Sequence, residues 1–147
     1  PVIASHSSCR AFTPDFQRNM NDDMIKKLGE NGGVIQINFG SAFLDSTVRA
    51  GNDINRKKLQ ALLEEKGLKS SDSLAKPVVE QFRKDNPSLY ADVKIVADHI
   101  DHVVKLAGID HVGIGSDFDG VGDSLPTGLK DVSQYPNLIY ELLKRGY

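Results

Sequence analysis

The most constraining feature of this chain is its alternation of short β-branched runs with longer segments of helical period. Residues 1–5, 34–39 and 111–115 are apolar, rich in Val and Ile, and too short for helices, so they read as buried strands. Between them, 22–30 places Met24, Ile25 and Leu28 on one helical face, with Asn21 or Asp22 as cap and Asn31-Gly32-Gly33 as stop. Segments 53–66 and 73–85 are helical but heavily charged, so each exposes a wide polar face. Residues 88–107 carry the broadest apolar stripe, from Val93 to Ala107, with Gly108 as a fitting C-cap, and Ser133 opens a last helix. Strands separated by helices imply parallel pairing through βα crossovers, hence an α/β fold. Three such units are too few for a closed barrel of ~250 residues, which leaves a small open sheet or the end of a larger barrel.

Composition narrows the function classes. The 147 residues carry a net charge of -2, which gives no electrostatic case for nucleic acid. No apolar run reaches the ~18 residues of a membrane span. The single cysteine, Cys9, excludes an internal disulfide and a thiolate cluster; it reads as a small side chain near a strand end. The chain opens on Pro1, already inside a strand, so further sequence is expected upstream.

In a parallel sheet the C-terminal strand ends face the ligand, so residues there are the first candidates. His6 follows the first strand, and a neutral imidazole at that place is a zinc-type ligand or a hydrogen-bonded loop histidine. Asp117 follows the third strand; a carboxylate there can bind metal, take a proton or grip an amine, or simply cap a turn. Arg18 lies in the loop beyond His6, where a guanidinium is the natural fork for a substrate carboxylate. Asp117, Asp119 and Asp123 do not keep the ligand spacing of a calcium loop. His99 and His102 are expected on the polar side of their helix beside Asp98 and Asp101, and His111 is expected to open a strand, away from chemistry.

Several of these segments, taken together, resemble the membrane (renal) dipeptidases. The resemblance is carried by Pro1-Val2-Ile3-Ala4-Ser5-His6-Ser7-Ser8, Arg18-Asn19 with Asp22-Asp23, and Asp98-His99-Ile100-Asp101-His102. Val112 through Gly120 and Gly128-Leu129-Lys130-Asp131-Val132 with Tyr135-Pro136 continue it. It implies the C-terminal portion of a (β/α)₈ barrel of the metal-dependent hydrolase type, with two zinc ions at its C-terminal face. By position, His6 is implied as a terminal zinc ligand and Arg18 as the group binding a dipeptide's carboxylate. Asp117 is implied to hold the substrate amine and to shuttle the proton of the attacking water. The family's His-x-Asp pair, its bridging Glu and its further histidines have no counterpart before His6.

The expected activity is therefore zinc-dependent hydrolysis of dipeptides by the complete barrel, the rest of which would come from upstream sequence. The alternatives are another metal-dependent amidohydrolase on the same barrel, or a non-catalytic truncated module. Residues 1–147 read as part of one barrel domain, with 41–87 as an extended helical insertion that could serve as a lid, as a homodimer contact or as a neutral insertion. The resemblance points towards an extracytoplasmic or membrane-associated location.

Overall fold

The computed structural model describes all residues, Pro1–Tyr147. Three strands, β1 (Ile3–Ser7), β2 (Val34–Asn38) and β3 (Val112–Ser116), form one parallel sheet in the order β1-β2-β3. The α/β class of the sequence reading holds. The crossover from β1 to β2 carries α1 (Asp22–Glu30), started by the Asn21 side chain accepting from the Met24 amide at 2.9 Å. After β2 come α2 (Ser41–Leu44), α3 (Ser46–Glu65), α4 (Ala75–Asp85) and α5 (Val93–Ala107), and α6 (Tyr135–Lys144) closes the chain. The Asp92 carboxylate caps α5 by accepting from the amides of Lys94 and Ile95.

Side chains alternate across a strand, and here only one face is covered by helices. Ile35 and Ile37 of β2 are fully buried with Ile25 of α1, Val96, Ala97 and Val103 of α5, and Leu138 of α6. On the other face Ile3, in register with Val34, is 66% exposed. The strands approach closely: a Cβ on Gly115 would lie 2.7 Å from the Gln36 carbonyl oxygen and 2.8 Å from that of Ser5. No larger residue fits that point of β3 without moving backbone.

Residues divide into two compact units, the first Pro1–Ser46 with Tyr90–Tyr147, the second Thr47–Leu89. The second holds most of α3 and all of α4, the helices expected over 53–66 and 73–85. Leu63 and Ala75 are its buried apolar residues, with Val48 near its start. The Asn52 amide closes the unit end to end, donating to the Leu89 carbonyl and accepting from the Leu89 amide, both at 2.9 Å. No helix of the chain is long and apolar enough to cross a membrane.

Five details depart from the sequence reading. The first strand is not buried: Val2 and Ile3 are 59% and 66% exposed, because β1 lies at the edge of the sheet with one neighbour. It also runs on through His6 to Ser7, since a register shift after Ala4 lets Ser7 pair with Ile37. The long helix begins at Val93 rather than near 88. Residues 91–93 spend their backbone hydrogen bonds on the Thr127 segment and on the Ser41 hydroxyl instead. His111 sits in a 3₁₀ turn just before β3, with Nδ1 2.8 Å from the Gly33 carbonyl oxygen. On α1, Ile25 and Leu28 are buried but Met24 is 48% exposed.

Candidate active site

All three strands run in one direction, so their C-terminal ends open on one edge of the sheet. The register pairs Ser7 with Ile37 and Asn38 with Ser116, which aligns these ends. Directly after β3 the chain makes a sharp turn. Ser116 and Asp117 both have left-handed backbones, φ 40° and 63°, an uncommon state for residues with a Cβ. Two such residues in sequence cost of order 1–3 kcal/mol each and persist only where their surroundings over-determine them.

Those surroundings are visible. The Phe39 amide donates to the Ser116 carbonyl at 3.0 Å, and the Ser116 hydroxyl bonds the Tyr135 hydroxyl. The amides of Gly120 and Val121 donate to the Asp117 carbonyl oxygen. The Asp117 carboxylate accepts from the Asn38 side-chain amide at 2.7 Å. Asn38 is fully buried, and its own Oδ1 accepts from the Gly40 amide at 2.7 Å. Gly120 makes room for the carboxylate: a Cβ there would sit 2.1 Å from Asp117 Oδ1.

His6 is exposed near the end of β1, its Nδ1 2.8 Å from the Ser5 hydroxyl. With Nδ1 engaged by that hydroxyl, Nε2 is the ring nitrogen left to a ligand. Just beyond, the Ser7 hydroxyl donates to the Arg18 carbonyl at 3.0 Å and the Ser8 hydroxyl to the Asn38 carbonyl at 3.2 Å. The buried Asn19 side chain accepts from the Ser8 amide and donates to Thr13 Oγ1 and the Phe43 carbonyl. These bonds pin the loop carrying Arg18 to the end of β1. The Arg18 guanidinium remains exposed, 5.7 Å from the centre of the Phe43 ring.

The structure thus puts His6 and Asp117 on strand ends of one sheet and ties the Arg18 backbone to the same edge. The three side chains bond to different partners: Ser5 for His6, the Phe43 ring for Arg18, Asn38 for Asp117. No group of three or more His, Cys, Asp or Glu side chains is placed to hold a metal ion in this chain.

One residue behaves differently from expectation. His99 is fully buried rather than on a polar face: its Nδ1 accepts from the Cys9 amide at 3.0 Å and its Nε2 faces the Leu44 carbonyl at 2.9 Å. The three polar neighbours turn outward, Asp98 and Asp101 to Arg145 and His102 to Asp22. Burial lowers the His99 pKa to about 4, so the ring is neutral near neutral pH with its proton on Nε2. Cys9 is buried, and burial followed by the Asp22 charge pushes its thiol up to about 12, which leaves it inert. Sequence reasoning passed over Asn38. Its signal was an amide closing the apolar run of β2, where a buried polar group needs partners.

In parallel α/β barrels the functional side chains stand at the C-terminal ends of the strands, the end of the sheet where His6 and Asp117 stand here. The family model described as Membrane dipeptidase (Peptidase family M19) matches residues 1–147. This chain belongs to that family of metallopeptidases. It is 36% identical over 145 residues to an uncharacterised dipeptidase of Schizosaccharomyces pombe, covering 99% of this chain and 25% of the relative. It is 37% identical over 146 residues to dipeptidase verJ of Clonostachys rogersoniana, covering 99% of this chain and 26% of the relative. Among solved structures it matches the probable dipeptidase PvdM from Pseudomonas aeruginosa with TM-score 0.70 and 32% identity, over all of this chain and 40% of that one. A metallo peptidase from Rhodobacter sphaeroides, liganded with a phosphinate mimic of the dipeptide L-Ala-D-Ala, matches with TM-score 0.66 and 27% identity, over 30% of its length. The chain therefore spans about a quarter of the length of the curated relatives it matches.

Proposed function

We propose that this chain forms part of a zinc-dependent dipeptidase barrel, in which it supplies one metal ligand and both groups that recognise the ends of the substrate. The observation that carries the reading is the strand register, Ser7 with Ile37 and Asn38 with Ser116, which brings the ends of β1, β2 and β3 to one edge. The family's name and the dipeptide mimic bound by a structural relative support the substrate class.

In this reading His6 binds zinc through Nε2, with Ser5 orienting the ring through Nδ1. One imidazole does not hold zinc, so two metals require further donors from the rest of the barrel. Zinc held by His6 and those further donors would supply Lewis acidity for a scissile carbonyl and for water near neutral pH. Arg18 pairs with the carboxylate of a dipeptide, and Asp117 takes its ammonium group and can accept a proton from the attacking water. Fixing both charged ends limits the enzyme to two-residue substrates, because a longer peptide would bring an uncharged amide against Arg18 or Asp117 and leave it unpaired. Residues 41–87 are then an extended helical insertion in the barrel sequence.

The test is dipeptide hydrolysis by the full-length protein containing this chain, zinc-loaded and chelator-treated, beside His6→Ala. Cleavage that requires zinc and is lost in His6→Ala supports the reading. A folded, zinc-loaded protein that cleaves no dipeptide would redirect it to another amidohydrolase or to a non-catalytic chain.

A further inference from the structure

We infer that Asn38 is a positioning residue that aims the Asp117 carboxylate, so that the amine grip of this site is built from the end of β2 as well as β3. The inference rests on the reading of Asp117 as the group that takes the substrate amine. Its own ground is geometric. The Asn38 amide cannot turn over, because Oδ1 is held by the Gly40 amide at 2.7 Å. That fixes Nδ2 towards β3, where it donates to Asp117 Oδ2 at 2.7 Å. Asn38 is fully buried, so no water competes for either end of its amide.

The carboxylate is otherwise poorly restrained by its own backbone. Asp117 follows Ser116 in a left-handed turn, and the backbone bonds there, from Phe39 to Ser116 and from Gly120 and Val121 to Asp117, hold only carbonyl oxygens. Gly120 lets the carboxylate pack against its main chain, since Oδ1 lies where a Cβ would stand, 2.1 Å from it. Oδ2 is thus pinned by Asn38 while Oδ1 is seated against Gly120. A carboxylate held on both sides meets an ammonium group in a set direction. The main chain of Asn38 also accepts from Ser8, two residues past His6, so the same residue links the β1 end to Asp117.

The experiment is a double-mutant cycle on the zinc-loaded full-length protein, reading kcat and KM for a dipeptide together with melting temperature. The variants are Asn38→Ala, Asn38→Asp, Asp117→Ala and Asn38→Ala with Asp117→Ala. Asn38→Ala is expected to lower kcat/KM about ten- to hundredfold. It should cost nothing further once Asp117 is gone. Asn38→Asp keeps the shape and the acceptor for Gly40 but sets two carboxylates face to face, which then share a proton. Its activity is expected to recover towards lower pH, a profile that loss of packing alone would not produce. A loss from Asn38→Ala that persists in full on the Asp117→Ala background would overturn the inference, as would wild-type kinetics in Asn38→Asp at every pH. Wild-type kinetics in Asp117→Ala would instead sink the reading of Asp117 itself, and the inference with it.

Discussion

At the scale of single residues, His99 shows how burial decides what an ionisable group does. Its ring joins three segments, the loop after β1 through Cys9, the end of α2 through Leu44, and its own helix α5. Protonating Nδ1 would set a ring N–H against the Cys9 amide N–H. Burial lowers the pKa, with the backbone bond to Leu44 and the charges of Asp98 and Asp45 opposing and His102 assisting. The folded state holds the proton only below about pH 4, whereas the unfolded chain binds it below about 6.5. Stability is therefore fully present above that window and is lost as pH falls through it, by about 3 kcal/mol in all. Melting temperature against pH should show this slope in the wild type and a much flatter one in His99→Gln. An equal slope in both would refute the assignment. Gly120 gives a second residue-scale prediction. In Gly120→Ala the new Cβ displaces the Asp117 carboxylate, so dipeptide hydrolysis should fall at least tenfold while the melting temperature changes little.

At the scale of elements, the helices are held to the sheet by apolar burial and to one another by a few directed bonds. Arg145, just after α6, is the clearest. Its guanidinium reaches Asp98 at 2.7 Å and Asp101 at 2.6 Å on α5, and Glu141 at 3.0 Å on its own helix. Burial disfavours its charge, but the bonds from Asp101, Asp98 and Glu141 outweigh that and raise its pKa. The Tyr147 hydroxyl adds a bond to Asp101 at 2.7 Å. Arg145→Ala should destabilise the chain by about 1–3 kcal/mol, because Glu141 is 12% exposed and would lose its partner. The loss should shrink in high salt for the more exposed Asp98 and Asp101 share. Denaturant unfolding at two ionic strengths measures both parts, and a midpoint unmoved from wild type would show that the cluster is only decorative.

At the scale of the whole molecule, the sheet has three strands and free edges at β1 and β3. The β1 edge is the more apolar at its start. Val2 and Ile3 lie on that edge, more than half exposed, beside unpaired backbone groups. Such an edge is a template for pairing with another chain. The 147-residue chain made by itself is expected to associate, as read by light scattering over a concentration series. Ile3→Lys should reduce that association by putting a charge on the edge. A concentration-independent monomer would show that the edge is protected.

Much of the element plan was legible in the sequence, because periodicity and capping are local. The alternation of β-branched runs and amphipathic helices determined a parallel α/β fold, Asn21 and the Asn31-Gly32 pair bracketed α1, and the strand-end positions singled out His6 and Asp117. Where the local signal was weak or shared, the sequence misled. The apolar run at residues 1–5 reads alike for a central and an edge strand, and the Asp-His pattern of α5 hides that one histidine points inward. What the tertiary structure alone decided is how distant groups meet. Asn38 faces Asp117 across 79 positions, and His99 accepts from Cys9 across 90. Local sequence carries no information on such pairs, since only the register of the sheet and the packing of α5 bring them within hydrogen-bond reach.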